Sequence, residues 1–508
     1  MNIKNKITNL KKEEIMVQRY ENEKIAEIFS DKHKLALWQK TELAVMRAMV
    51  NFDMMKKDDY DVVEEALKTN PINIEWWKKR DEEIHHDLNA FLDERLRFIP
   101  KHLQQFFHKN ITSYDTEEPA FARSLFEAAE TIKLINKSLN NSLYNLAIEH
   151  RYTIMNGRTH GQEAEMQSFG AKCLSWISDC RIAQKAFKQS LENLRYSKLS
   201  GAIGKYGSLD PKIEKEALKI LNFEPFIGAT QIMPRVLYAP IAQSLCNLVC
   251  VINKIGLDIR LASRSGRPLL QEPFKKKQKG SSAMPHKKNT IRTEQLEGMA
   301  RMAKGYMGMI TDNIVTWEER AIEQSSVERV AWPDLFHVTA QSIKVLTGVL
   351  TGLNVYPDNM LKEIHESRGV YASSEVKEFL KTNLSELRLG HEDAYRIVQI
   401  ACFNVFEPSK ERLAIRETIA TSFIESFELL KEASKQEEKI VSIETFIPEA
   451  RLRISNDLDI EQTQIDIYNA ALQKLFSQEI ILAEWKKLFT PSFLLKNEDY
   501  LYQQTLGV

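Results

Sequence analysis

From Leu237, apolar positions recur at Ile241, Leu245, Leu248, Ile252, Ile255 and Ile259, in steps of four, four, three, four, three and four. Steps of three and four keep one side of a 3.6-residue turn apolar, so the spacing predicts one amphipathic helix of more than twenty residues. Ile132, Ile135, Leu139, Leu143 and Leu146 repeat the pattern, and Ile291, Leu296, Met299, Met302, Tyr306 and Met309 give a third such face. Asn289 or Thr290 stands where the N-cap of that third helix belongs. Alternating runs of strand type are confined to short stretches and no repeat of solenoid length occurs, so the expected fold class is all-α. Turn formers gather in "NITSYDTEEP" (110–119) and "LNVYPDNM" (353–360). They divide the chain into an N-terminal helical domain (1–112), a central long-helix bundle (113–360) and a C-terminal helical domain (361–508). The last of these carries a charged stretch, "KEASKQEEK" (431–439), which reads as a solvated helix face.

Composition fits this picture. Only 18 glycines and 15 prolines interrupt 508 residues, so long helices with few turns are expected. A chain of this length exceeds one compact core. Long helices with apolar material to cover call for partners beyond the chain itself, so an oligomer is expected. Lys plus Arg and Asp plus Glu both total 70, which argues against a surface built for polyanions; any anion is bound locally. The five cysteines, Cys173, Cys180, Cys246, Cys250 and Cys402, lie in apolar sequence without CxxC spacing, as reduced thiols of a cytosolic protein would. The N-terminus is too polar for a secretory signal, and no uninterrupted apolar run is long enough for a bilayer, so a soluble, cytoplasmic protein is expected.

Candidate chemistry lies in three places. The stretch "KKKQKGSSAMPHKKN" sets small residues between lysines; it has no second glycine before the lysine and is not a phosphate-binding P-loop. Its order of groups is suggestive: Ser281 as nucleophile or base, Lys287 as cation, Asn289 as amide, and Glu294 at a helix start. Lysine, asparagine and a helix N-terminus suit a substrate carboxylate. The histidines come next, with His85, His86 and Asp87 in "HHDLNAF", His108, Thr112, Ser113 and Asp115 in "HKNITSYD", and His160 and Gln162 in "GRTHGQ". Histidine is the natural proton donor near neutral pH, and without HExxH or cysteines at zinc spacing a metal site ranks behind. Finally "WEERAIEQSSVER" carries Arg320, Ser325, Ser326 and Arg329, which read either as a salt-bridged helix surface or as a phosphate cradle.

The loop "GSSAMPHKKN" resembles the signature of the fumarase/aspartase superfamily. With "RY" at Arg19-Tyr20, "HDLNAF", "TSYD", "GRTHGQEAEMQSFG", "SGAIG", "TQIMPR", "WEER…SSVER" and "GHEDAYRIVQ", the chain is similar to that superfamily's nucleotide-cleaving branch from Arg19 to Gln399. The resemblance implies three helical domains and a homotetramer with shared active sites. It implies release of fumarate from a succinylated adenine nucleotide and from a succinylcarboxamide ribotide, both small-molecule substrates of purine synthesis, and no metal or organic cofactor. It makes Ser281 the base that removes the Cβ proton, with Lys287 and Asn289 stabilising the resulting charge. His160 becomes the acid for the departing nitrogen, Glu294 orients it from another subunit, and His86 assists. Arg19, Tyr20, Ser325 and Arg329 become phosphate and ribose contacts, Asp87, His108, Thr112 and Ser113 substrate contacts, and Gln231 and Arg320 neighbours of the succinyl group. The chain departs from the pattern at Tyr114, where serine is common, at Met166 and Gln167, where proline and threonine are usual, at Thr290 in place of proline, and at Ala321 in place of aspartate.

Other readings predict other ligands. A relative with a different succinyl or muconate substrate would cleave argininosuccinate or a carboxymuconate instead. A helical scaffold that had lost catalysis would not be expected to keep Ser281, His160, Lys287, Asn289 and Glu294 together. Nucleic-acid binding through "KKKQKG" would give salt-sensitive retention, which the neutral overall charge disfavours.

Overall fold

The structure is a computed structural model that describes residues 17–406, 452–455 and 457–508; the charged stretch 431–439 lies outside the described residues. Helices account for most of what is described. In chain order they begin with α1 (Glu23–Ile28), α2 (Asp31–Asn51), α3 (Lys57–Thr69), α4 (Ile74–Ile84) and α5 (Asp87–Leu96). The long α6 (Ser113–Glu149) leads to a hairpin of β1 (Ile154–Thr159) and β2 (Gln162–Ser168), then α7 (Phe169–Ser190), α8 (Pro211–Ile220) and α9 (Ala239–Ala262). Next come α10 (Ile291–Asp312), α11 (Glu323–Leu350), α12 (Pro357–Glu366), α13 (Ser373–Asn383) and α14 (His391–Phe406). The described C-terminal part holds α15 (Gln462–Phe476), α16 (Glu479–Lys487), a short turn of helix, and α17 (Glu498–Leu506).

The three amphipathic patterns fall on α6, α9 and α10, and the expected all-α class holds, with paired strands among the described residues limited to short two-stranded pieces. In α9 the whole predicted stripe from Ile241 to Ile259 is buried. By length and mean hydropathy alone, 235–262 would suffice to cross a bilayer, although polar residues interrupt it; half of its apolar window is buried inside the protein, as in a core helix. Thr290 takes the N-cap position of α10 as expected, but its side chain makes no capping bond. Its hydroxyl bonds the Glu294 carboxylate at 3.2 Å.

By proximity the chain forms two compact units. The first draws on residues up to Asn141, Asp179–Asp258 and Asn289–Thr351. One part of its core joins Trp38, Met46, Phe91, Leu103 and Phe107 with Ile213 and Leu218 of α8. Helix starts here follow capping rules: Ser30 accepts from the His33 N–H at 3.3 Å, Asn73 from Trp76 at 3.0 Å, and Asp210 from Lys212 at 3.0 Å. The second unit draws on Ser142–Ser178, Ile259–Lys288 and the chain from Gly352. Trp485 is central to its core, with Phe379, Phe476 and Phe489 edge-on around it at 4.7–5.6 Å.

Candidate active site

Unit one carries most of the proposed binding residues. The "HHD" turn is a helix-to-helix joint: His85 ends α4 in the left-handed region (φ 51°) and His86 is the N-cap of α5. His86 Nδ1 accepts the Asn89 N–H at 3.3 Å, which assigns the proton of the neutral ring to Nε2. Asp87 follows on the first turn, and its carboxylate accepts from Arg329 at 2.8 Å. Ser325, one turn before Arg329 on α11, shares with these two residues a cleft of about 460 Å³. Phe29, Trp38, Trp77 and Phe121 supply its apolar wall, and Lys34 lies 5.3 and 4.9 Å from the two indole rings.

Glu117 of α6 also lines the cleft. Burial pushes its carboxyl up to about 8 and Asp87 adds to the rise, while Arg329, Arg320 and Lys34 pull it back. Neither composition nor motif singled it out. Arg320 donates to the Gln231 side chain at 3.1 Å and lies 4.2 Å over the ring of Tyr114. The departure from serine at position 114 thereby has a physical role: the buried ring supports that guanidinium, and its hydroxyl accepts from Gln324 at 2.9 Å.

Buried ion pairs hold these segments. Glu328, between Ser325 and Arg329, forms a two-pronged pair with Arg235 at 2.8 and 2.9 Å, and Arg235 also bonds Glu118 of α6. Burial opposes the Arg235 charge, and the two carboxylates outweigh it. The arginine of "TQIMPR" and the glutamate of "SSVER" are thus braces that set the pitch of α11 beneath Ser325 and Arg329. Lys198 pairs with Asp115 at 2.7 Å and donates to the carbonyls of Gly201 and Gln231 at 3.0 and 2.8 Å. Asp115 in turn accepts the Thr112 N–H at 2.8 Å, so one buried pair fixes the start of α6, with Thr112 and Ser113, to the Gln231 segment. His108, just upstream, bonds the buried Glu42 at 2.8 Å. Arg19 and Tyr20 precede α1 in a turn closed by the Tyr20 N–H on Val17 O at 2.8 Å. Glu294 is exposed in the first turn of α10, and Asn289 precedes that helix.

Unit two carries Ser281, Lys287 and His160. His160 and Gly161 are the two central residues of the β1–β2 hairpin, both with positive φ (53° and 79°), the requirement of a type I′ turn. Arg158 braces the hairpin through Glu163 at 3.4 Å and Glu363 at 3.1 Å. The imidazole stands exposed at the tip and makes no hydrogen bond among the described residues. Within the loop of residues 272–288, Ser281 Oγ accepts from the N–H groups of Met284 at 3.1 Å and Ala283 at 3.4 Å. Gly280 is there for space: a Cβ would meet Lys287 O at 1.8 Å. Lys287 is exposed, and unit two makes no hydrogen bond between Ser281 and His160.

An all-helical chain with a serine loop, a histidine turn and an arginine cleft fits a lyase, and residues 16–305 match the profile of the family described as lyase. The chain belongs to this lyase family. Its curated relatives include adenylosuccinate lyase of Thermotoga maritima, 34% identical over 399 residues, 78% of this chain and 90% of the relative. Adenylosuccinate lyase of Synechocystis is also 34% identical, over 76% of this chain and 87% of its own. Among solved structures, a fumarate lyase from Mesorhizobium sp. aligns with a TM-score of 0.69 at 20% identity, covering 90% of this chain and 99% of that one. The 3-carboxy-cis,cis-muconate lactonizing enzyme of Pseudomonas putida aligns at 0.70 and 18%, covering 95% and 96%. These last two speak for the fold.

Proposed function

We propose that this chain is an adenylosuccinate lyase, releasing fumarate from adenylosuccinate to leave AMP and from SAICAR to leave AICAR. The observation that carries the reading is similarity to curated adenylosuccinate lyases over three quarters of the chain, beside a lyase-family match over residues 16–305 that contains every proposed catalytic side chain. Ser281 as an alkoxide takes the Cβ proton; the electron pair passes through the neighbouring carboxylate, the C–N bond breaks, and His160 as imidazolium gives its proton to the departing nitrogen. The two N–H groups directed at Ser281 Oγ favour negative charge there, which supports a hydroxyl acting as base. Lys287 and Asn289 stabilise the charge on the carboxylate, Glu294 of another subunit orients His160, and His86 assists at the leaving group.

In this reading Ser325 and Arg329 hold phosphate and ribose with Arg19 and Tyr20, Asp87, His108, Thr112 and Ser113 contact substrate, and Gln231 with Arg320 faces the succinyl group. The enzyme is a soluble cytoplasmic homotetramer of three-domain subunits, divided at 112 and 360. Incubating the purified protein with adenylosuccinate, and separately with argininosuccinate, tests the assignment: fumarate from the first alone is expected, and fumarate from the second alone would move the chain to another branch.

A further inference from the structure

Glu42 belongs to none of the motifs. It sits on α2 in the buried row Leu35, Trp38, Glu42, Val45 and Met49, where a carboxylate survives only if its oxygens are satisfied. Oε1 lies 2.8 Å from His108 Nδ1 and accepts from Thr116 Oγ1 at 2.6 Å, and Oε2 accepts the His108 backbone N–H at 3.0 Å. One carboxylate thus grips both the ring and the main chain of His108, whose backbone is in the left-handed region at φ 56°. An ionised carboxylate only accepts, so Nδ1 carries a proton. Nε2 has no partner among the described residues, and the side chain is 19% exposed.

We infer that Glu42 is a positioning residue: it fixes the His108 ring with Nδ1–H inward, so that Nε2 is presented to an anionic oxygen of the substrate. This rests on the reading in which His108 contacts substrate. The charged groups facing the ring are Glu42 from α2 and Asp115 from α6, the latter paired with Lys198. Burial works against a charged ring, but the two carboxylates outweigh it and hold its titration above the ordinary 6.5. Protonated, Nε2 donates to an anion. That capacity is present below the raised value and is lost as pH rises through it.

The test is hydrogen–deuterium exchange at the imidazole C2, read peptide by peptide by mass spectrometry across pH, on the full-length protein. In the wild type His108 is expected to titrate above 6.5, and in Glu42→Gln at a lower pH than in the wild type, because the largest charge that raises it is gone. With adenylosuccinate, Glu42→Gln is expected to raise KM about tenfold with a smaller change in kcat, the KM rise setting in at lower pH than in wild type, and Glu42→Asp to restore part of the difference. A wild-type His108 titrating at or below 6.5 overturns the inference without any variant having to fold. So does a Glu42→Gln protein with a shifted titration and an unchanged KM. A wild type that leaves adenylosuccinate untouched is a failure of the lyase assignment and leaves the titration result to be read by itself.

Discussion

At the residue scale, Ser281 is a half-buried and His160 an exposed side chain, both on turns outside the core, so removing either takes away chemistry with little loss of packing. Ser281→Ala and His160→Ala are each expected to keep the helical spectrum and assembly while losing about 10²-fold to 10⁴-fold in kcat. Steady-state kinetics beside circular dichroism checks this. Glu117 behaves differently. Its carboxyl, held at about 8 by burial, is mostly neutral at pH 7 and ionises as pH rises through that value, placing a negative charge beside Arg329. KM for a phosphate-bearing substrate is therefore expected to climb above pH 8, and Glu117→Gln to flatten that climb. A wild-type KM independent of pH between 7 and 9.5 would contradict the placement of phosphate in this cleft.

At the scale of elements, the signature loop depends on one close approach. Gly280→Ala puts a methyl into Lys287 O, so the loop must open and move Ser281 and Lys287. A large fall in kcat is expected with little change in the denaturation midpoint, because the loop is largely exposed and outside the core. The buried braces give the opposite profile: Arg235→Met leaves Glu118 and Glu328 without their cation and is expected to destabilise by about 3–5 kcal/mol, read by urea unfolding. These elements differ in how far sequence revealed them. The stripes of α6, α9 and α10 were legible because burial of one helix face imposes its period on the chain. The hairpin under His160 was not: "IMNGRT" and "QEAEMQS" lack β-branched alternation, and what makes them strands is the His-Gly turn and the Arg158 pairs. Glu42 was legible in principle, as a lone charge on the apolar row of α2, but its partner is 66 residues away in sequence. The same long range hides Arg235 with Glu328, 93 residues apart.

At the scale of the whole molecule, large apolar side chains stand uncovered between α10 and α11, with Val315 81%, Trp317 79% and Ile322 71% exposed. An assembly would bury them, in keeping with the proposed tetramer and its shared sites. If one site takes Ser281 and His160 from different subunits, mixing inactive Ser281→Ala and His160→Ala proteins under subunit exchange is expected to restore part of the activity. No recovery after exchange has been verified by mass would sink the shared-site claim. The central claim, fumarate release from a succinylated nucleotide through Ser281, is tested most directly by following adenylosuccinate with wild type and Ser281→Ala side by side, AMP and fumarate being separated by chromatography. Equimolar AMP and fumarate from the wild type, and almost none from the variant, is the expected result. A folded wild type that forms neither, or a variant as fast as the wild type, would contradict it.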